Sequence, residues 1–181
     1  MATEVIGIDH LYISVSDLAR AEDFYDRAFV TALGFRKNRF ALDGEPHVQY
    51  YNRHFGYVLR PARSPATHDP YAPGLHHFCL RVDAIDDVVA AAERLRTAGI
   101  EASPATHHSQ YASDYWACFF TDPDGIRLEI TNFRQERREA EEQEAPPPVK
   151  TEVEKPVATP AGLFLGKPKH VDAAAVAELI G

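Results

Sequence analysis

The sequence predicts an α+β fold: two tandem βαβββ modules forming an open, barrel-like sheet around a cleft, followed by a C-terminal extension. Three observations predict it. A strand–helix–glycine pattern occurs twice, as Ile8-Asp9-His10-Leu11-Tyr12-Ile13-Ser14-Val15 with Gly34-Phe35 after its helix, and as Leu75-His76-His77-Phe78-Cys79-Leu80-Arg81-Val82 with Gly99-Ile100 after its own. Within the strands, apolar side chains alternate with polar ones, so each strand has one face for a core and one for something else. Both helices carry an apolar stripe at helical spacing, which needs a sheet to cover it.

The elements follow in order. Leu18, Ala21, Phe24, Tyr25, Ala28 and Ala32 share one face of a helix over about Asp17–Leu33, with Ser16 or Asp17 as its cap. A strand over Asn38–Leu42, a turn at Asp43-Gly44-Glu45-Pro46 and strands over His47–Tyr51 and Gly56–Arg60 complete the first module, about residues 5–62. Pro61 to Gly74 is proline-rich and aperiodic, and reads as a linker. The second module, about 74–133, has a helix over Ile85–Ala98 with the stripe Ile85, Val88, Val89, Ala92 and Leu95, capped by Asp83 or Asp86. A longer excursion, Ser103 to Ser113, precedes a strand over Asp114–Thr121. Asp122-Pro123-Asp124-Gly125 is a turn whose proline and glycine suit its dihedral requirements, and Ile126–Thr131 is the last strand. The folded domain therefore spans residues 1–134. Residues 135–181 divide into a charged run (to Glu144), a proline-rich spacer (Ala145–Pro160) and an apolar arm containing Leu163-Phe164-Leu165 and Val171–Ile180. That arm is expected to dock on folded protein in a homodimer.

Composition narrows the function. The chain of 181 residues carries a net charge of −8, with 45% hydrophobic and 25% charged residues, which is ordinary globular composition. No Lys/Arg stripe marks a nucleic-acid surface, and no apolar run reaches membrane-spanning length. The first residues lack the basic start and apolar run of a signal peptide. Cys79 and Cys118 are far apart without metal or redox spacing, as in a cytoplasmic protein with reduced thiols.

On the polar faces, His10, Tyr12 and Ser14 stand opposite Leu11, Ile13 and Val15. His77, Cys79 and Arg81 stand opposite Phe78, Leu80 and Val82, and Arg127, Glu129 and Thr131 opposite Ile126, Leu128 and Ile130. If the sheet curls, these faces line one cleft containing His10, His77 and Glu129. Two imidazoles and a carboxylate form a ligand set that leaves coordination positions open on one divalent metal ion (iron, manganese, zinc or nickel).

These residues resemble the vicinal oxygen chelate superfamily, which comprises glyoxalase I, methylmalonyl-CoA epimerase, fosfomycin-resistance transferases, extradiol dioxygenases and bleomycin-resistance proteins. The resemblance rests on His10-x4-Val15 followed by Asp17-Leu18 and Phe24-Tyr25, on Gly74-x2-His77-Phe78, and on Phe119-Phe120-x-Asp122-Pro123-Asp124-Gly125-x3-Glu129. It covers roughly residues 5–133. It implies that His10, His77 and Glu129 occupy three of the family's ligand positions, with His77 preferred to His76. The fourth position, a glutamate in glyoxalase I, falls here on Val58 or Leu59, which speaks against glyoxalase I chemistry; Gln49 or His47 would stand in only in another register. The implied activity is that of a metal-dependent enzyme whose small substrate chelates the ion through oxygens, a lyase or isomerase, a transferase or a ring-cleaving dioxygenase. Tyr115 and His108 are the acid–base candidates from the long loop, and Arg60 and Arg81 the anchors for an anionic substrate. The alternative is a metal-free small-molecule-binding protein of the bleomycin-resistance kind.

Overall fold

The structure, a computed structural model, describes residues 3, 5 and 7–144. Each module builds the same four-stranded mixed sheet. In module one, β1 (His10–Val15), β2 (Arg36–Leu42), β3 (Glu45–Tyr51) and β4 (Gly56–Pro61) lie in the order β1-β4-β3-β2. In module two, β5 (His77–Val82), β6 (Thr106–His107), β7 (Trp116–Thr121) and β8 (Arg127–Asn132) lie in the order β5-β8-β7-β6. The first and last strands of each module run parallel, and the remaining pairs are antiparallel. The tandem βαβββ reading thus holds. The short β6, which alternation in the sequence did not locate, supplies the second strand of module two from within its long excursion.

Register makes the internal symmetry concrete. His10 pairs with Gly56 and Tyr12 with Val58, while His77 pairs with Arg127 and Cys79 with Glu129. Val58 is therefore the module-one counterpart of Glu129, and the slot that could have held a second carboxylate holds an isopropyl group.

The helices form where their stripes and caps place them. The Asp17 carboxylate accepts the Arg20 N–H at 3.0 Å, capping α1 (Leu18–Tyr25) and satisfying one of its free donors. The helix then widens into a π-helical segment, Asp26–Ala32, which buries Ala28, Phe29 and Ala32; a periodicity of 3.6 does not foretell it. Gly34, at φ 73°, ends it in a conformation that a side chain resists. For α2 (Ile85–Thr97) the expected caps Asp83 and Asp86 are not used. Ala84 is the capping residue, and its N–H donates to the Asp87 carboxylate at 3.0 Å, the reciprocal half of a capping box.

The core lies between the helices and the inner sheet faces. Tyr25, Phe29, Tyr50 and Tyr57 are fully buried and meet ring to ring, with centroids 5.0–5.9 Å apart. The same core joins the modules: Phe24 stacks on Phe120 at 6.4 Å, and Tyr57 meets Phe78 at 5.8 Å.

A polar clasp reinforces the joint. The turn Asp122–Gly125 reaches from module two to α1, where the Asp124 carboxylate accepts the Ser16 N–H at 2.8 Å and the Arg20 guanidinium at 2.9 Å, with the Ser16 hydroxyl beside them. Asp122 is buried. It accepts the Tyr25 hydroxyl at 3.0 Å and the backbone N–H groups of Ile126 and Asp124 at 2.8 and 2.9 Å, while the Tyr57 and Tyr25 hydroxyls lie 2.9 Å apart. Burial raises the Asp122 carboxyl above its ordinary range, and these donors offset only part of the rise.

The folded state thus holds the Asp122 proton more tightly than the unfolded chain does. Its contribution to stability is complete below the unfolded pKa and declines as pH rises through the folded one. Asp122→Asn should therefore flatten the stability profile over that acid window, read as urea midpoints at successive pH values. An unchanged slope would show that other carboxyls set it.

After β8, Phe133 is held between two guanidinium groups, Arg81 at 4.0 Å and Arg138 at 4.9 Å from its ring centre. The charged run forms α3 (Gln135–Glu144), largely solvent-facing as expected. The proline-rich spacer and the apolar arm expected to dock lie outside the described residues.

Candidate functional site

Module two carries a cleft of about 1030 Å³ on the polar face of its sheet. Strand alternation builds it: β8 presents Arg127 and Glu129, β5 presents His77, and β7 presents Phe119. Tyr111 and Tyr115, from the excursion before β7, form a wall, their rings 5.3 Å apart.

Glu129 is the centre of this face. Its residue is 6% exposed, and its two oxygens have different neighbours. Oε1 accepts the Tyr115 hydroxyl at 2.6 Å, and Oε2 lies 3.5 Å from His77 Nε2. Burial and the adjacent carboxylate raise the Tyr115 phenol above its ordinary pKa, so it stays a proton donor. Cys79 is the register partner of Glu129 on β5 and brings its thiol to the same carboxylate. Donors about 2.1 Å from one ion are about 3.0–3.4 Å apart at octahedral to tetrahedral angles; the 3.5 Å His77–Glu129 separation lies just beyond that range, so a small side-chain shift brings the pair onto a shared ion.

His10 is elsewhere. It opens β1 in a smaller hollow of module one, with Gln49 and Tyr51 of β3 across from it and Asp9 Oδ2 2.7 Å from its Nδ1. Among the described residues, no three His, Cys, Asp or Glu side chains gather closely enough to hold a metal ion. One chain thus brings together His77 and Glu129, with Tyr115 against the carboxylate, and keeps His10 apart in a separate hollow.

The other expected site residues lie outside the lining of this cleft. His108 is edge-on to Phe119 at 5.4 Å with Nε2 3.0 Å from the Thr106 hydroxyl, and it does not line the cleft. Arg60 pairs with Glu45, and Arg81 lies over Phe133; neither lines the cleft. His76 does, contrary to the strict alternation expected of it. It precedes β5, so strand geometry does not turn it away, and its Nδ1 is 2.8 Å from that of His77.

Two cations also line the cleft that were not named as site residues from the sequence. Arg127 shares the β8 face with Glu129, where alternation put it. Arg134 follows the last strand, where no periodicity applies. Both line the cleft. Among the described residues neither forms an ion pair.

The fold has solved relatives. A glyoxylase/bleomycin resistance protein/dioxygenase domain from Frankia sp. EAN1pec is 24% identical, covering 72% of this chain and all of its own length at a TM-score of 0.58. The fosfomycin resistance protein FosX from Listeria monocytogenes is 17% identical, covering 76% of this chain and 99% of its own at 0.50. An integron cassette protein from the mobile metagenome of a Halifax Harbour sewage outfall is 20% identical, covering 71% and 100% at 0.53. These likenesses concern the fold. No curated protein matches the chain by sequence. Residues 7–130, both modules and most of the chain, match the Glyoxalase/Bleomycin resistance protein/Dioxygenase superfamily, and the chain belongs to that superfamily.

Proposed function

We propose that this protein is a divalent-metal-dependent enzyme whose site is completed by a second copy of the chain, with His77 and Glu129 from one subunit and His10 from the other. The observation that carries the reading is the His77–Glu129 pair, 3.5 Å apart on the floor of an open cleft. His10 is the register counterpart of His77 in module one, exposed in its own hollow and available to a twofold partner. A bound iron, manganese, zinc or nickel ion would supply Lewis acidity to adjacent oxygens of a small substrate. The chain's residues do the remainder. Tyr115 holds one oxygen of Glu129 and leaves the other facing His77, which makes it a positioning residue, and Phe119 and Tyr111 supply the aromatic wall of the cleft. The substrate leaves as the product of a lyase, isomerase, transferase or ring-cleaving reaction. The two cysteines are unpaired, which fits the cytoplasm.

Mixing two inactive variants tests the shared site. His10→Ala and His77→Ala should each purify with little metal. After dissociation and random re-pairing, half of the dimers are mixed and each has one intact site, so metal content and turnover should return to about one quarter of wild type. No recovery would place all ligands in one chain. Turnover or ligand binding insensitive to chelator would favour the metal-free binding protein.

A further inference from the structure

We infer that Arg134, which lies beyond the segment matching the superfamily, is an anchor for a carboxylate on the substrate, and that the cleft of module two takes a planar aromatic carboxylate. This rests on the reading of the cleft as a chelating metal site.

Arg134 is positioned by built structure. On its N-terminal side, Phe133 sits between the Arg81 and Arg138 guanidinium groups, and its N–H donates to the Val82 carbonyl at 2.8 Å. On its C-terminal side, the Gln135 N–H donates to the Asp114 carboxylate at 2.8 Å, and Arg138 bonds Asp83 at 3.0 Å. These ties fix the chain on both sides of Arg134 and deliver its guanidinium over the Tyr115 ring, 5.6 Å from the ring centre. Tyr115 is the residue whose hydroxyl binds Glu129.

The guanidinium at the cleft wall is thus one side chain removed from the chelating centre and has no carboxylate partner among the described residues. Several guanidinium groups elsewhere are engaged by carboxylates, Arg20 with Asp124, Arg39 with Glu22, Arg60 and Arg63 with Glu45, whereas Arg134 shares its cleft with the likewise unpaired Arg127 and with Glu101. A free, ring-stacked guanidinium presents planar donors suited to a carboxylate. The surrounding wall explains the rest of the ligand. Tyr111, Tyr115 and Phe119 supply aromatic faces, against which a planar ring packs offset or edge-on, and Tyr111 remains 65% exposed at the mouth.

Two probes with the same chelating oxygens, catechol and 3,4-dihydroxybenzoate, isolate the carboxylate. Their affinities for the full chain are measured calorimetrically, first loaded with Zn²⁺ and then stripped. Wild type should bind the carboxylate about tenfold more tightly than catechol, the scale of one charge-assisted contact. Arg134→Gln should bring that ratio to about one, Arg134→Lys should keep part of it, and Arg137→Gln on α3 should leave it intact. Equal binding of the two probes by wild type, binding of neither, or an unchanged ratio in Arg134→Gln would overturn the anchor. The chelate reading is judged separately, by whether stripping weakens both probes. Affinities that ignore the metal while the ratio still depends on Arg134 would refute that reading and leave the anchor standing.

Discussion

Glu129→Gln should abolish metal retention and yet leave metal-free protein at least as stable as wild type. The carboxylate is buried, its nearest neighbours are a phenol, a thiol and an imidazole, and no guanidinium or ammonium pairs with it among the described residues. Burying such a charge is costly, and the metal-free protein has only the Tyr115 hydrogen bond and the His77 imidazole to offset it. Glutamine keeps the shape and removes the charge, so thermal midpoints of stripped protein should stay level or rise. Metal content should fall by the full value of a ligand, whereas Tyr115→Phe, which loosens the ligand without removing it, should weaken affinity by about 10–100-fold. A Glu129→Gln protein that retains stoichiometric metal would exclude this carboxylate from the ligand set.

Phe29→Ala should cause the largest loss of stability of any single substitution considered. The ring is fully buried and packs against Tyr25, Tyr50, Tyr57 and, stacked at 4.8 Å, Phe35. Truncation removes the burial of an aromatic side chain and leaves a cavity that four rigid rings close poorly, at a cost of about 3–5 kcal/mol. Phe29 also lies in the π-helical segment, where alanine favours the narrower α-helical turn. A refolded α-helical variant would shift Ala32 and Gly34 relative to β2. Chemical denaturation measures the cost, and a loss below about 1 kcal/mol would mean that the neighbours collapse into the space. Phe119→Ala, in the open cleft wall, should cost less, because its site is already partly solvated.

Much of this fold was legible in the chain. Alternation in His10–Val15 and His77–Val82 assigned both strands and their faces, and the same rule assigned Glu129 to the cleft side. The cap of the first helix is Asp17, one of the two residues expected there. What alternation cannot convey is how one sheet faces another. It fixes which side of a strand a residue occupies, so it placed His10 and His77 on equivalent faces. It could not show that the two faces belong to separate sheets with the pair split between two hollows. The fates of Arg60 and Arg81 were hidden for a related reason. Their partners, Glu45 at the start of β3 and Phe133 just after β8, lie at strand ends, where alternation carries little information. The Arg134 position, fixed by side-chain ties on either side of it, belongs to the same class.

The clasp between modules has a consequence for the order in which the chain is made. Tyr25 is synthesised 97 residues before Asp122, the acceptor of its hydroxyl. At about 5–20 residues per second, module one leaves the ribosome several seconds before that acceptor exists. During this interval Tyr25 and Tyr57 have each other but no carboxylate, and Ser16 and Arg20 wait for Asp124. The first half of the nascent chain therefore has an unfinished face that only the last turn of the second half completes. Completion comes when nearly all of module two has been translated, and the two halves lock together as the final strand emerges.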